Sequence, residues 1–272
     1  MKNKVTRYLS LAVILGLVFT LTVGFISMAQ KEKDVYTVGV DANFPPYTWV
    51  EKGEYKGFDV EIIRAIAEVQ DLEIKIVDMP WETIIPALGN GKIDMLVSGL
   101  TIKCDRDEII DYTQPYWRVN QEILVRKDSD LNAITAMSEG HTVGAQRGTT
   151  GYMWIQDELV KKDVNVEGKA YEDYTQAIKD LEIGRIDAVL VDTDTANAFL
   201  ASGRDVKNIG TIPTREEYAY AVTEGDPYGL LPVLNEGMEK LFESGRWNEI
   251  FKKYFDKAPP KDIPLERKTT CE

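Results

Sequence analysis

Histidine is almost absent from this chain. The 272 residues hold one, His141, which excludes a metal centre built on several imidazoles. Cysteine is nearly as scarce: Cys104 and Cys271 exclude a disulfide-dense scaffold and leave one bridge or two thiols as open alternatives. Positive charge is in deficit, with 32 Lys and Arg against 45 Asp and Glu and a net charge of −13. Without a basic cluster no nucleic-acid partner is expected, and a surface of this sign repels anionic membranes as well. No internal repeat or low-complexity tract is present, and no Gly-Lys-Ser/Thr follows a glycine turn, so a phosphate loop is not expected. His141 precedes a strand-like run and reads as an exposed loop residue.

One long apolar run stands at the start. Lys2, Lys4 and Arg7 form a positive region, residues 8–30 carry no charge, and Ser27 and Ala29 offer small residues before a cut. The pattern predicts an export signal over residues 1–29, cleaved after Ala29; uncut, its roughly 20 apolar residues would serve as a retained anchor. No cysteine lies there to carry a lipid. Cleavage would remove three positive charges and move the net charge from −13 to −16. The remaining ~243 residues suit one large domain or two lobes of roughly 100 to 130.

Short β-branched runs alternate with helix-period segments, which predicts α/β architecture with parallel strands. Strands are expected at 36–40, 74–77, 93–97, 122–126, 142–145, 187–191 and 218–222. Helices are expected behind Asp59, read as an N-cap, and at 82–88, 149–159, 174–184 and 230–255, the last broken at Gly245. The proline-containing tail from Asp256 reads as extended, and packed only if something ties it down.

The most informative stretch follows the 93–97 strand: Ser98-Gly99-Leu100-Thr101-Ile102-Lys103-Cys104-Asp105-Arg106, then Asp111-Tyr112-Thr113 and Pro115-Tyr116. It reads as a small-polar loop where Arg106 can clamp a carboxylate through two parallel hydrogen bonds, with Thr101 and the Gly99 carbonyl left for an ammonium. Asp192 ends an apolar strand and opens a turn at Thr193-Asp194; it is a helix N-cap or a carboxylate emerging where open α/β sheets bind ligands. Gly148-Thr149-Thr150-Gly151 lies between strand and helix, where backbone amides favour an anion.

These pieces resemble extracytoplasmic solute-binding protein family 3, the receptors of polar amino-acid ABC importers. The resemblance spans about Tyr36 to Phe255. It is carried by Asp41-Ala42-Asn43-Phe44-Pro45-Pro46-Tyr47, Gly57-Phe58-Asp59-Val60-Glu61-Ile62, Trp81-Glu82-Thr83-Ile84-Ile85-Pro86-Ala87-Leu88, the Arg106 loop, the Gly148 turn, Gly184-Arg185-Ile186-Asp187-Ala188-Val189-Leu190-Val191-Asp192 and Trp247-Asn248-Glu249-Ile250-Phe251, in that order.

The resemblance implies a type II periplasmic-binding-protein-like fold: two α/β lobes, each a mostly parallel sheet flanked by helices, joined by two crossing strands. Lobe 1 would be 33–118 plus 221–272 and lobe 2 would be 122–217, with hinges near 118–121 and 217–220. It implies a monomeric receptor without cofactor or metal that captures a free polar or cationic L-amino acid and delivers it to an ABC permease in the membrane. Arg106 and the Thr150 amide would take the ligand carboxylate, and Asp192, Gly99 and Thr101 its ammonium. Phe44 and Trp81 would line the side-chain pocket, with Tyr47 and Tyr116 nearby or simply core. Asp41, Gln146, Arg147 and Val191 would set selectivity, Asp41 favouring arginine or glutamine, then lysine and histidine. Tyr152, where arginine-binding relatives often carry an acidic or polar group, weakens the arginine reading.

The alternative is an enzyme. Periplasmic cyclohexadienyl dehydratases are similar to this family and place a glutamate after the Gly-Thr turn. Here that position is Gly151, and no acidic residue lies between Gln146 and Ile155. A sensory domain would need a catalytic or pore segment after lobe 2. If the tail returns to lobe 1, Cys104 and Cys271 share a lobe, and a disulfide there would pin the tail beside the Arg106 loop.

Overall fold

The computed structural model describes residues 33–138, 140–261, 265–269 and 271. The expected export segment lies outside the described residues, among which no helix is long and apolar enough to cross a membrane. Twelve strands run in chain order among them: β1 (Tyr36–Val40), β2 (Asn43–Phe44), β3 (Thr48–Glu51), β4 (Glu54–Lys56), β5 (Ile74–Asp78), β6 (Met95–Thr101), β7 (Ile110–Tyr112), β8 (Trp117–Arg126), β9 (His141–Gln146), β10 (Val166–Tyr171), β11 (Ala188–Asp192) and β12 (Val206–Thr223).

The architecture is two-lobed. Strands β5, β1 and β6 pair in parallel on one side, and β10, β9 and β11 on the other. Strands β8 and β12 join the halves. β8 pairs antiparallel with β11 and along much of β12, and the end of β12 pairs antiparallel with β6 and β7. The ladder thus runs β10-β9-β11-β8-β12-β6-β1-β5, with β2-β3-β4 as a separate small sheet. Parallel strands covered on both faces must be apolar throughout. β6 and β11 are buried along their whole length.

Helices cover the faces with apolar stripes. The helix Phe58–Val69 buries Phe58, Ile62, Ile63 and Ile66, and packs against Leu230–Glu243 and Arg246–Tyr254. Gly245, at φ 79°, takes the left-handed turn that separates the last two. The interior there is aromatic, with Phe58 edge-on to both Trp247 and Phe251. Tyr174–Glu182 is capped by the Asp173 carboxylate, which accepts from the Gln176 amide.

Three expectations need correction. Residues 98–101 are not loop: β6 starts at Met95 and continues to Thr101, because Tyr218 and Ala219 of β12 pair with Thr101 and Leu100. Asp59 is not an N-cap; Gly57 occupies that position, and the Asp59 side chain is buried inside the helix's packed face. His141 is the first residue of β9, 3.4 Å from the Asp187 carboxylate. Asp192 takes the N-cap position of the helix Thr193–Ala201, one of the two readings its sequence offered.

The tail is tied down. Cys104 and Cys271 form a disulfide with Cα atoms 5.1 Å apart. The Leu265 amide donates to the Pro115 carbonyl, and the Lys268 and Thr269 amides to the Glu217 carboxylate.

Candidate functional site

The ends of β6, β9 and β11 converge on one narrow cavity, lined by Phe44, Trp81, Ser98, Gly99, Thr101, Arg106, Gln146, Thr149, Thr150 and Asp192. Eight of the eleven residues given a ligand contact from sequence lie on its wall; Asp41 stands behind Gln146, and Arg147 and Val191 lie off it. Ser98 and Thr149 are additions.

Local structure fixes each group. Gly99 sits at φ 54°, and a Cβ there would come within 2.6 Å of the Phe44 ring, so glycine is required twice over. The Gly99 amide donates to Asp59 Oδ2 at 2.7 Å, and the Tyr116 and Tyr220 hydroxyls donate to the same carboxylate. Asp59 is therefore the internal anchor of the strand that carries the site. Its burial pushes its pKa up to about 7, against the pull of those three donors.

Arg106 lies in the four-residue helix Cys104–Asp107 and is the one side chain of that helix that is buried. Its Nη1 donates to the Thr101 carbonyl and its Nη2 to the Gly148 carbonyl, both at 3.0 Å. Nε is buried and has no hydrogen-bond partner among the described residues. The guanidinium lies 5.7 Å from the Trp81 ring centroid, and the Trp81 indole N–H donates to the same Gly148 carbonyl. An oriented guanidinium with an unsatisfied donor is built to receive an anion.

Asp192 lines the same cavity from the end of β11. It occupies the N-cap position of Thr193–Ala201, yet its side chain makes no capping bond; Oδ1 accepts from Gln121 Nε2 at 2.6 Å. Burial raises its pKa well above the usual range, and the charge of Glu216 raises it further, while the Tyr218 hydroxyl and the Gln121 amide oppose both.

Glu216 is the group that sequence reasoning missed. Its Oε2 accepts from the Thr101 and Thr150 hydroxyls at 2.8 and 2.6 Å, and its Oε1 from Gln121 at 2.9 Å. It thus gathers strand β6 and the helix Thr150–Trp154 onto β12, where the register shifts between Ile212 and Glu216. Flanked by Arg215 and Glu217, it carries no signal that separates it from a solvated charge run.

Of the selectivity candidates, Asp41 is buried, and its pKa is pushed up to about 6 by that burial, with Gln146 pulling the other way. Gln146 Nε2 donates to Asp41 Oδ2 at 2.7 Å and to the Glu172 carbonyl at 3.0 Å. Arg147 and Val191 are not on the wall: Arg147 is half-exposed and points to Glu82, and Val191 is core. Tyr47 and Tyr116 are core as well, their hydroxyls spent on Asp194 and Asp59. Phe44 stacks on Tyr47 behind the pocket, with ring centroids 5.5 Å apart. Among the described residues no cluster of His, Cys, Asp and Glu is placed to hold a metal ion.

The arrangement has known counterparts. A relative from Neisseria gonorrhoeae named "Probable histidine-binding protein" is 33% identical over 234 residues, covering 84% of this chain and 86% of its own. A solved ancestral arginine-binding protein bound to arginine matches with a TM-score of 0.77 at 31% identity, over 83% of this chain and 100% of that one. An ancestral amino acid-binding protein described as a precursor of cyclohexadienyl dehydratase matches with a TM-score of 0.75 at 28% identity, over 82% and 96%. The model of the bacterial extracellular solute-binding proteins, family 3, matches residues 36–257, and the chain belongs to that family.

Proposed function

We propose that this protein is an exported receptor that captures a free polar or cationic L-amino acid between its lobes and delivers it to an ABC transporter permease. The observation that carries the reading is the presence of Arg106, with its unsatisfied Nε, and Asp192 together in the lining of one cavity. An α-amino acid presents a carboxylate and an ammonium on one carbon, and burying both requires a matched cation and anion. The lobes correspond to 33–118 plus 221–272 and to 122–217, with the hinges where β8 and β12 cross.

The side-chain pocket favours a hydrogen-bond donor. Both Gln146 amide hydrogens are engaged by Asp41 and the Glu172 carbonyl, so the Gln146 carbonyl oxygen is the atom left for a ligand, backed by the Asp41 carboxyl. Arginine and glutamine rank first, then lysine and histidine, and the acidic amino acids last. A dehydratase activity finds no support in the turn, where Gly151 stands in place of an acid.

A thermal-shift screen against the twenty amino acids, on protein unfolded and refolded to strip carried-over ligand, tests the reading. One or a few donor-bearing amino acids should raise the melting temperature. Stabilisation by glutamate above all others would overturn the selectivity argument, and stabilisation by none would overturn the receptor reading.

A further inference from the structure

The helix that carries Arg106 is too short to hold itself. Four residues close barely one turn, and helix nucleation is unfavourable without outside contacts. Cys104–Asp107 buries only Arg106, so no apolar side chain roots it in the core. The C-terminal segment grips it at both ends. Cys271 is bonded to Cys104 at its start, and the Arg267 guanidinium pairs with Asp107 at its end, 3.3 Å away. Arg267 also lies over the Tyr112 ring, with 5.8 Å to the centroid.

The same segment is rooted in the two strands that join the lobes. Glu217 of β12 is 1% exposed, and its Oε2 accepts from the Lys268 amide, the Thr269 amide and the Thr269 hydroxyl, at 2.9, 2.8 and 3.0 Å. Arg118 of β8 donates to Glu217 Oε1 at 2.9 Å and to the Glu266 carbonyl at 2.7 Å. The Leu265 amide reaches the Pro115 carbonyl just before β8. Glu217 also receives the Ile102 amide on its backbone carbonyl, directly ahead of the Arg106 helix. The tail amides and Arg118 hold the Glu217 carboxyl below its ordinary value despite its burial.

We propose that residues 265–269 and Cys271 form a strap that holds Arg106 in its binding geometry, so that ligand affinity depends on the Cys104–Cys271 bond and on the Glu217 socket. Cys104, Cys271, Arg267 and Glu217 act as positioning residues, since none lines the cavity. The inference rests on Arg106 as the carboxylate anchor, and a displacement of about 1 Å in such a group weakens an oriented interaction severely.

The test uses the full chain with Cys104→Ser and Cys271→Ser together, and separately Glu217→Gln with the bond intact. Hydrogen exchange of the ligand-free proteins is the first readout. Amides of residues 101–109 should exchange about tenfold faster or more, while β9 in the other lobe keeps the parent's protection, as expected of a local opening. Calorimetry with L-arginine, L-histidine and L-glutamine is the second. Whichever binds the parent should bind the cysteine variant about tenfold more weakly, through faster dissociation, with a smaller change in the same sense for Glu217→Gln. Unchanged exchange at 101–109, or equal acceleration in β9, would overturn the strap. If none of the three amino acids binds the parent, the ranking of ligands is at fault, and the exchange data still decide the strap.

Discussion

At the scale of single residues, two charges carry the account. Replacing Arg106 or Asp192 with alanine should each cost about 3 to 5 kcal/mol of ligand binding, because either change strands a desolvated ligand charge. Calorimetry measures it; binding within threefold of the parent, in a variant with the parent's circular dichroism, would contradict the assignment. Asp192 adds a pH dependence. Buried beside Glu216, with Asp194 near, its carboxyl holds a proton more tightly than a free aspartate does. An ammonium needs the ionised form, so binding must release a proton wherever Asp192 is still protonated. Affinity should fall as the pH is lowered, and the calorimetric enthalpy should vary with the buffer's ionisation enthalpy in the sense of proton release. An enthalpy independent of buffer would mean that Asp192 is already ionised in the empty site.

At the scale of elements, Asp59 is the joint between the helix Phe58–Val69 and strand β6, and it sets a second pH effect. Its folded pKa of about 7 lies above the ordinary value of 3.8, so the folded state binds its proton more tightly. The contribution is present in full below the unfolded value, near 4, and is lost as the pH rises through about 7. Asp59→Asn, which cannot ionise, should gain stability relative to the parent between pH 4.5 and 7.5, by at most about 4 kcal/mol. Denaturant titrations at the two pH values check this, and an equal difference at both would show that Asp59 does not titrate there.

Asp59 also shows where sequence falls short. An aspartate ahead of an apolar stripe looks the same whether it caps the helix or is buried beneath a strand, because the difference lies in Gly99, Tyr116 and Tyr220, distant in the chain. Strand β11 was legible because burial on both faces demands an unbroken apolar run, and the edge strand β5 because Ile74 and Ile76 alternate with Lys75. The break at Gly245 was legible because a left-handed turn favours glycine. Strand β10 was not, since Glu167, Gly168 and Lys169 interrupt it at the sheet's edge. Glu216 was hidden in a charged run, and the tail's packing hung on a cysteine pairing that composition left open.

At the scale of the whole molecule, a receptor must report whether it is loaded, and only a ligand that bridges both lobes can bias closure. Several contacts already cross the cleft, among them Gln146 to Asp41, and Trp81 and Arg106 to the Gly148 carbonyl. Ligand should therefore compact the refolded protein by rotation about the crossing of β8 and β12, each lobe unchanged inside. Small-angle scattering should record a smaller radius of gyration with ligand; identical distance distributions would contradict closure. The most direct test of the central claim isolates the zwitterion. The amino acid that binds most tightly is titrated by calorimetry alongside its carboxamide and its deaminated analogue, with the side chain kept constant. The account predicts that each analogue loses about 3 kcal/mol or more, since one leaves Arg106 without its anion and the other Asp192 without its cation. Either analogue binding as tightly as the parent amino acid would contradict it.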